Sequence, residues 1–218
     1  MTMGDGSLLS NDARGRLRAR VVPLATALAR AGFTANTLTV IGFGVALAAA
    51  LLAGLQWWLA AGLVSVFGAV FDLFDGAVAR ATGTASKFGA FLDSTLDRWG
   101  EGFLFTGIAA GCIGAGEPLV AVLAVLTLNS SIMVTYTRAR AEGLGLKGDV
   151  GIAPRPERVA ILGAGLILTG LSGGPAAGIP WLQIALGLLL LLTTVTVFQR
   201  IAHVRRQAGD EQRGTPEP

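Results

Sequence analysis

The amino-acid sequence predicts an all-α, polytopic membrane protein with six transmembrane helices and an N-terminal amphipathic helix in the membrane interface. Hydrophobic residues make up 52% of the 218 residues and charged residues only 14%, whereas soluble domains carry about 25% charged residues. The mean hydropathy is +0.63. The apolar residues fall into segments close to the roughly 20 residues that span a bilayer. The basic residues are confined to alternate connections between these segments.

The first part of the chain, residues 1–36, is predicted to form a cytoplasmic and interfacial segment. Residues 1–20 are polar and basic, without the apolar core of a cleavable signal peptide. Residues 12–33 alternate basic and apolar positions, which is typical of a helix lying on the membrane surface. Attraction to anionic lipid headgroups explains such a helix. The alternative is that it covers one wall of a site.

Residues 37–204 are predicted to form a six-helix membrane domain. Clusters of Gly, Pro and polar residues separate the apolar segments, as expected where helices end. The polar segment 205–218 is predicted to be a disordered cytoplasmic tail. The six predicted spans cover residues 37–55, 57–80, 88–113, 118–138, 156–173 and 181–202.

The distribution of basic residues predicts the orientation. All 17 Lys and Arg residues lie near the N-terminus, the second or fourth connection, or the C-terminus. The opposite side has Glu117 as its single acid and no basic residue. By the positive-inside rule, the protein is predicted to lie in the cell membrane with both termini on the cytoplasmic side. Positive charge here serves topology, and no aromatic residues are interleaved with it, so a nucleic-acid partner is not predicted.

Four aspartates lie within "FDLFDGAVARATGTASKFGAFLDSTLDRWGEG", residues 71–102. Asp72 and Asp75 are three residues apart near the end of the second span, and Asp93 and Asp97 are four apart near the start of the third. Each spacing places its pair on one helix face. A short turn containing Gly83 joins the two spans, so their ends are expected to be neighbours and the two pairs to converge.

Four converging carboxylates need a compensating charge, because like charges disfavour each other's ionisation. A hard divalent cation, Mg²⁺, Mn²⁺ or Ca²⁺, suits such an all-oxygen ligand set. The structural alternative is a set of helix caps or salt bridges to Arg80 or Arg98. A cation transporter is a further alternative, but it predicts acids near the bilayer midplane on a path open to both sides. These aspartates lie at one end of their spans.

The pattern D72-x-x-D75-G76-x-x-A79-R80, eight residues, G89-x-x-x-D93-x-x-x-D97 resembles the complete signature of the CDP-alcohol phosphatidyltransferase family. The resemblance covers about residues 20–205 and includes "FTANTLT" at 33–39, where Ala35 replaces a proline frequent in the family. It implies an enzyme in which an alcohol displaces CMP from a CDP-linked lipid. It also implies a six-span catalytic domain that forms a homodimer in the membrane.

The resemblance also implies residue roles. Two Mg²⁺ or Mn²⁺ ions would neutralise the pyrophosphate of the CDP-lipid and stabilise the leaving CMP. Asp97 would in addition be the general base that accepts the proton of the attacking hydroxyl. The implied metal ligands are Asp72, Asp75, Asp93 and Asp97. The implied CDP-lipid-binding residues are Asp72, Gly76, Ala79, Arg80 and Gly89.

Five arginines are predicted to bind a phosphate group on the acceptor alcohol. They lie at the ends of the fourth, fifth and sixth spans, on the same side as the aspartates. Guanidinium groups bind phosphate through paired hydrogen bonds, which favours this role. The alternative is a cluster that serves only the positive-inside rule. The five arginines are Arg138, Arg140, Arg155, Arg158 and Arg200.

The segment "RARAEGLGLKGDVG…RPER" resembles the phosphatidylinositol-phosphate synthases of actinobacteria and the related archaetidylinositol-phosphate synthases. That resemblance implies CDP-diacylglycerol or CDP-archaeol as the lipid donor and inositol 1-phosphate as the acceptor. Glycerol 3-phosphate stays an alternative acceptor, because it is also anionic and would suit the same arginines.

Overall fold

The computed structural model describes residues 23 and 26–214, apart from the side chains of residues 73, 75, 81 and 210–214. Regular structure in this part of the chain is entirely helical, which confirms the predicted all-α class. The predicted interfacial helix, residues 12–33, lies mostly outside the described residues, although residues 26–30 are helical. The six long helices are α1 (Ala35–Gly54), α2 (Trp58–Thr82), α3 (Lys87–Gly114), α4 (Pro118–Glu142), α5 (Arg155–Leu171) and α6 (Trp181–Gly214).

Each helix coincides with one predicted span, and local sequence explains where the helices near the aspartates begin and end. Thr34 caps α1, since its Oγ1 accepts a hydrogen bond from the Thr37 amide at 3.1 Å. Ser86 caps α3 by accepting from the Gly89 amide at 3.0 Å. Gly83 ends α2 in the left-handed conformation, with φ of 67°, which costs glycine little.

Four of these helices, α1, α2, α4 and α6, are long and apolar enough to cross a membrane. Helix α5 has 17 residues, and α3 carries Asp93, Asp97, Arg98 and Glu101 among its charged residues. Length and composition therefore support four membrane-spanning helices, while the full six-span topology stays a prediction.

The helices form a closed ring in the order α1, α3, α4, α6, α5, α2 and back to α1. Within the described residues, the consecutive helices α2 and α3 do not pack against each other, because α1 lies between them. The end of α2 and the start of α3 were predicted to be neighbours, and the structure brings them together only at the turn that connects them. Their carboxylates meet across the interior of the ring instead of along a shared helix surface.

Small residues decide which helix packs beside α3. A Cβ atom added at Gly107 would lie 2.1 Å from the Ala50 carbonyl oxygen, and one at Gly111 would lie 2.2 Å from that of Ala53. Only glycine permits so close an approach of two helix backbones, which is typical of membrane proteins. This contact holds α1 against α3 and keeps α2 away from it.

The apolar core fills the end of the ring opposite the aspartates. All six helices contribute to it, and it includes the fully buried Ile108, Leu166, Leu182 and Leu186. A smaller cluster at the aspartate end packs Leu28 and Ala29 against α1 and α2. Apolar side chains thus fill one end of the ring, and polar side chains line the other end.

Helix α6 continues through Gly214, so the prediction that the chain becomes disordered at residue 205 is wrong for 205–214. The side chain of Gln207 explains part of this order. Its Nε2 donates to the Lys147 carbonyl oxygen at 2.7 Å, and its Oε1 accepts from the Lys147 amide at 2.9 Å. The helix is thereby tied to the connection between α4 and α5. Residues 215–218 lie outside the described residues.

Candidate active site

The centre of the polar end is an ion-pair cluster of Asp72, Asp97 and Arg155. One guanidinium nitrogen of Arg155, Nη2, lies 2.9 Å from Asp72 Oδ2 and 2.6 Å from Asp97 Oδ1. The other nitrogen, Nη1, donates to Asp97 Oδ2. Arg155 therefore binds Asp97 through both oxygens and Asp72 through one. It is the first residue of α5, so this cluster joins α2, α3 and α5.

The remaining two aspartates flank this cluster. Asp93 lies one turn before Asp97 on α3 and interacts electrostatically with both Asp72 and Asp97. Asp75 lies one turn after Asp72 on α2, and its side chain is outside the described residues. Among the described side chains, no three of Asp, Glu, His and Cys are grouped closely enough to hold a metal ion. The guanidinium of Arg155 lies between Asp72 and Asp97.

A cavity of about 100 Å³ extends from Asp72 and Asp97 into the ring. Gly42 of α1 makes room for the Asp72 carboxylate, because a Cβ atom there would lie 2.9 Å from Asp72 Oδ1. The walls change from carboxylates and arginines at the mouth to Leu104 and Leu189 at depth. Leu104 and Leu189 also belong to the apolar core, so the cavity borders that core.

A second polar network lies one helical turn deeper and centres on Glu101. Ser131 donates to Glu101 Oε1 at 2.6 Å, while Arg98 and Arg158 approach the two carboxylate oxygens at 3.6 and 3.8 Å. Arg158 is 7% exposed and also donates to the Ser131 carbonyl oxygen at 3.1 Å. The network joins α3, α4 and α5 below the cluster of Asp72, Asp97 and Arg155.

Glu101 and Ser131 are absent from the sequence-based set of site residues. Glu101 follows Asp97 by four residues, as Asp97 follows Asp93. That repeated spacing places the three acids on one face of α3, and it is the signal by which Glu101 could have been found. No comparable pattern marks Ser131, because its partners come from other helices.

The five predicted phosphate-binding arginines differ in their surroundings. Arg155 reaches the aspartates, and Arg158 lies one turn further along α5 in the network of Glu101. Arg200 is 7% exposed and donates to the Val150 carbonyl oxygen at 2.8 Å and to that of Val134. It therefore holds the connection between α4 and α5 against α6.

Arg138 and Arg140 lie at the solvent-exposed end of α4. Arg138 Nε donates to Glu142 Oε1 at 2.8 Å. Arg200 interacts electrostatically with Arg138 and Arg158, and Arg158 with Arg155. These four arginines thus form one positive region beside the aspartates, whereas Arg140 is exposed two residues further along α4.

The predicted CDP-lipid-binding residues lie on the aspartate side of α2 and at the start of α3. Arg80 is exposed, and its Nη1 would lie 3.2 Å from a Cβ atom at Gly76. Ala79 is half-buried. A Cβ atom at Gly89 would lie 3.2 Å from Asn36 Oδ1 and from Ser86 Oγ. A side chain at position 76 would therefore crowd Arg80, and one at position 89 would crowd Asn36 and Ser86.

Comparison with known proteins connects this geometry to one family. The family model for the CDP-alcohol phosphatidyltransferases matches residues 33–198. A phosphatidylinositol phosphate synthase of Mycolicibacterium smegmatis is 40% identical over 192 residues, which cover 86% of this chain and 84% of that protein. An archaetidylinositol phosphate synthase of Pyrococcus horikoshii is 37% identical over 182 residues, covering 83% and 88%.

Two solved structures of Mycobacterium tuberculosis phosphatidylinositol phosphate synthase are similar to this chain. The structure with CDP-DAG bound has a TM-score of 0.76 at 34% identity and covers 84% of this chain and 92% of that chain. The complex with manganese and citrate has a TM-score of 0.76 at 33% identity, covering 84% and 88%. The matched region contains every residue of the aspartate pattern. The chain belongs to the CDP-alcohol phosphatidyltransferase family.

Proposed function

We propose that this protein transfers the phosphatidyl group of CDP-diacylglycerol to inositol 1-phosphate and releases CMP. The observation that carries the proposal is the meeting of Asp72, Asp97 and Arg155 at the polar end of the ring. Two aspartates of the family pattern thereby contact an arginine, a side chain suited to binding phosphate. Relatives that are named phosphatidylinositol phosphate synthases, at 39–40% identity, support the choice of acceptor.

The reaction forms one bond to phosphorus and breaks another. The acceptor hydroxyl oxygen attacks the phosphorus that carries the diacylglycerol, and the bond from this phosphorus to the bridging oxygen of the pyrophosphate breaks. CMP departs with that electron pair. Asp97 is the group that accepts the hydroxyl proton, since it lies at the mouth of the cavity on a rigid helix.

The donor atoms at this site are of the type that a hard divalent cation prefers, and Arg155 now lies between the described carboxylates, which are not grouped around an ion. Asp72 and Asp97 converge on one cationic group, and Asp93 is near enough to interact with both. Carboxylate oxygens are the ligands that Mg²⁺ and Mn²⁺ prefer. Asp72, Asp75, Asp93 and Asp97 would hold two such ions, and the bound metal would neutralise the pyrophosphate charge. The manganese complex of the M. tuberculosis synthase supports metal use.

The acceptor phosphate would bind beside the metal ligands, at the positive region of Arg138, Arg155, Arg158 and Arg200. Arg155 is 40% exposed and faces the cavity, so it is the arginine best placed to contact the phosphate. The structure favours a supporting role for Arg158 and Arg200, because both already donate hydrogen bonds to protein oxygens. Arg138 and Arg140 would attract the anion at the rim.

The membrane setting that we propose is a six-span protein with both termini and the site at the cytoplasmic face of the cell membrane. The segregation of the 17 basic residues supports it. At this interface a water-soluble acceptor meets a lipid donor whose chains stay in the bilayer. The family resemblance favours a homodimer, to which the apolar faces of the helices are suited.

Two alternatives within the family stay open to experiment. Glycerol 3-phosphate would use the same arginines, and CDP-archaeol differs from CDP-diacylglycerol in its lipid chains, away from the aspartates. A cation transporter is disfavoured by the apolar core, which closes the ring below the cavity. No described acid lies in that core.

The test is release of CMP from CDP-diacylglycerol by the purified protein in detergent with Mg²⁺. Inositol 1-phosphate should support turnover, and glycerol 3-phosphate should support much less. Turnover with glycerol 3-phosphate alone would replace the acceptor and keep the reaction class. Absence of CMP release with either acceptor, from a folded protein, would contradict the proposed function.

A further inference from the structure

The guanidinium of Arg155 lies where the aspartates of the family pattern converge. Both oxygens of Asp97 and one oxygen of Asp72 accept hydrogen bonds from it. A metal ion bound to the same oxygens would lie in the space that this guanidinium occupies. Each carboxylate oxygen has a further lone pair, but a metal ion that bridged Asp72 and Asp97 would overlap the guanidinium and be repelled by its charge. The two occupants therefore exclude each other at this position.

Charge explains why Arg155 adopts this position. Asp72, Asp93 and Asp97 repel one another at the edge of the ring, and the cost of that repulsion rises in surroundings of low dielectric constant. The guanidinium offsets it through short hydrogen bonds between charged groups. On its other side, Arg155 faces the positive charge of Arg158, which adds to its preference for the carboxylates.

The position of Arg155 also allows it to leave. Its side chain is 40% exposed, while the backbone on both sides is held. The Ala153 amide donates to Thr196 Oγ1 at 3.2 Å, and Arg158 donates to the Ser131 carbonyl oxygen. The long side chain can therefore rotate toward the cavity mouth while α5 stays in place.

We propose that Arg155 is a resident counter-cation that holds Asp72 and Asp97 together and leaves them when a divalent cation binds. The released guanidinium then faces the mouth of the cavity and binds the phosphate of the acceptor. This inference rests on the proposed function, which supplies the metal and the anionic acceptor. It makes Arg155 a competitor of the metal and a coupling element between the metal and the acceptor.

Two consequences follow from linkage. Removal of the guanidinium should raise the metal affinity, because binding no longer has to break the three hydrogen bonds to Arg155. Acceptor phosphate should also raise the metal affinity of the wild type, since it holds Arg155 away from the aspartates, and metal should raise the acceptor affinity by the same factor. An arginine that only braced the helices would have the opposite effect, because its removal would loosen the ligands.

The experiment measures Mn²⁺ binding by electron paramagnetic resonance of the free ion, with the full chain in detergent and no lipid. Arg155→Gln should bind Mn²⁺ about 10-fold more tightly than the wild type, the lower end of what charge-assisted hydrogen bonds contribute. Arg206→Gln is the matched control, because it removes one exposed positive charge from α6 on the same side. Its Mn²⁺ affinity should stay within about 2-fold of the wild type, as expected for a screened charge.

The same measurement in the presence of inositol 1-phosphate tests the coupling. Saturating inositol 1-phosphate should raise the Mn²⁺ affinity of the wild type and leave that of Arg155→Gln unchanged. Adding Asp97→Asn to Arg155→Gln should abolish the gain, which assigns it to this site. If Arg155→Gln fails to fold, Arg155→Lys replaces it, because an ammonium cannot pair with both oxygens of Asp97 and should also bind Mn²⁺ more tightly.

Equal or weaker Mn²⁺ binding by a folded Arg155→Gln protein overturns the inference, and so does a wild type that binds no Mn²⁺. The proposed function fails separately. Tighter Mn²⁺ binding by the variant, without CMP release by the wild type with any acceptor, would keep the exchange and remove the enzyme activity. CMP release by the wild type together with weaker Mn²⁺ binding by the variant would keep the enzyme activity and overturn the exchange of Arg155 for metal.

Discussion

Asp97 accepts more hydrogen bonds from Arg155 than Asp72 does. Its side chain is 12% exposed, and Arg155 binds both of its oxygens. A general base needs an oxygen lone pair that faces the hydroxyl, so in the proposed reaction Asp97 would act after Arg155 has moved. This ties the chemistry of one carboxylate to the position of one arginine.

Asp97→Asn should lower the rate constant by about 10²- to 10⁴-fold, the usual contribution of a general base. Binding of CDP-diacylglycerol should be largely kept, because Asp72, Asp75 and Asp93 remain. The measurements are kcat and the affinity for CDP-diacylglycerol, with the exposed Asp149→Asn as control. Loss of CDP-diacylglycerol binding would make Asp97 mainly a metal ligand.

The proposed metal ligands are tested by the same exchange of carboxylate for amide. Asp72→Asn, Asp75→Asn and Asp93→Asn should each abolish Mg²⁺-dependent turnover, since each removes a ligand charge from a shared cation site. CMP release at saturating Mg²⁺ is the measurement, and Asp149→Asn again serves as control. Near-normal turnover of a variant would show that the replaced aspartate is not a metal ligand.

Glu101 should matter for stability, because it is the carboxylate beside the buried Arg158. Glu101→Gln leaves the Arg158 guanidinium without a carboxylate, whereas Arg98 keeps Asp97 at 3.8 Å. Breaking a buried ion pair in this way costs about 3–5 kcal/mol. Thermal unfolding in detergent measures the effect. Glu142→Gln breaks the exposed pair with Arg138 and should cost less than about 1 kcal/mol. Similar unfolding temperatures for the two variants would contradict a supporting role for Glu101.

At the scale of helices, contact between α1 and α3 sets the order of the ring. Gly107→Ala places a methyl group against the Ala50 carbonyl oxygen and should destabilise the protein by about 1–3 kcal/mol, as overpacking does. Gly102→Ala is the matched control, since a Cβ atom there meets no atom within 4 Å. Thermal unfolding should separate the two. Equal stability would mean that α1 and α3 do not need this close approach.

Helix α6 acts as the frame for the connection that ends at Arg155. Thr196, Arg200 and Gln207 hold this connection at three points, Ala153, Val150 and Lys147. These contacts position the start of α5 over the aspartates. They explain why a segment rich in glycine and without regular structure can place one guanidinium accurately.

The whole molecule is polarised, with charge at one end of the ring and hydrocarbon at the other. The segregation of basic residues predicts that the charged end faces the cytoplasm. Cys112 is fully buried and can be replaced by Ala to give a chain without cysteine. Exposed positions then report each end: Leu144 between α4 and α5, and Ala176 between α5 and α6.

In intact cells, a membrane-impermeant maleimide should label Ala176→Cys, and Leu144→Cys only after permeabilisation. The intact protein with its native Cys112 is the control and should not react. Labelling of both positions from outside would contradict the six-span topology, because α5 would then not cross the membrane. Labelling of Leu144→Cys alone would invert the orientation.

The sequence by itself determined the helices, the aspartate pattern and the family. Hydrophobic runs and glycine or proline breaks are local features, so the predicted spans and the observed helices agree to within a few residues at most ends. The spacing of Asp72, Asp75, Asp93 and Asp97 is likewise written along the chain. The end of α6 was missed, because its order comes from a contact between Gln207 and Lys147.

Only the tertiary structure decided which side chains meet. It packs α1 between α2 and α3 through the backbone contact at Gly107, brings Arg155 to Asp72 and Asp97, and gives Arg158 the partners Ser131 and Glu101. These residues are 27 to 83 positions apart. Their pairing depends on which helices are neighbours in the ring. That order follows from the fit of small residues between helices, which periodicity along one helix does not reveal.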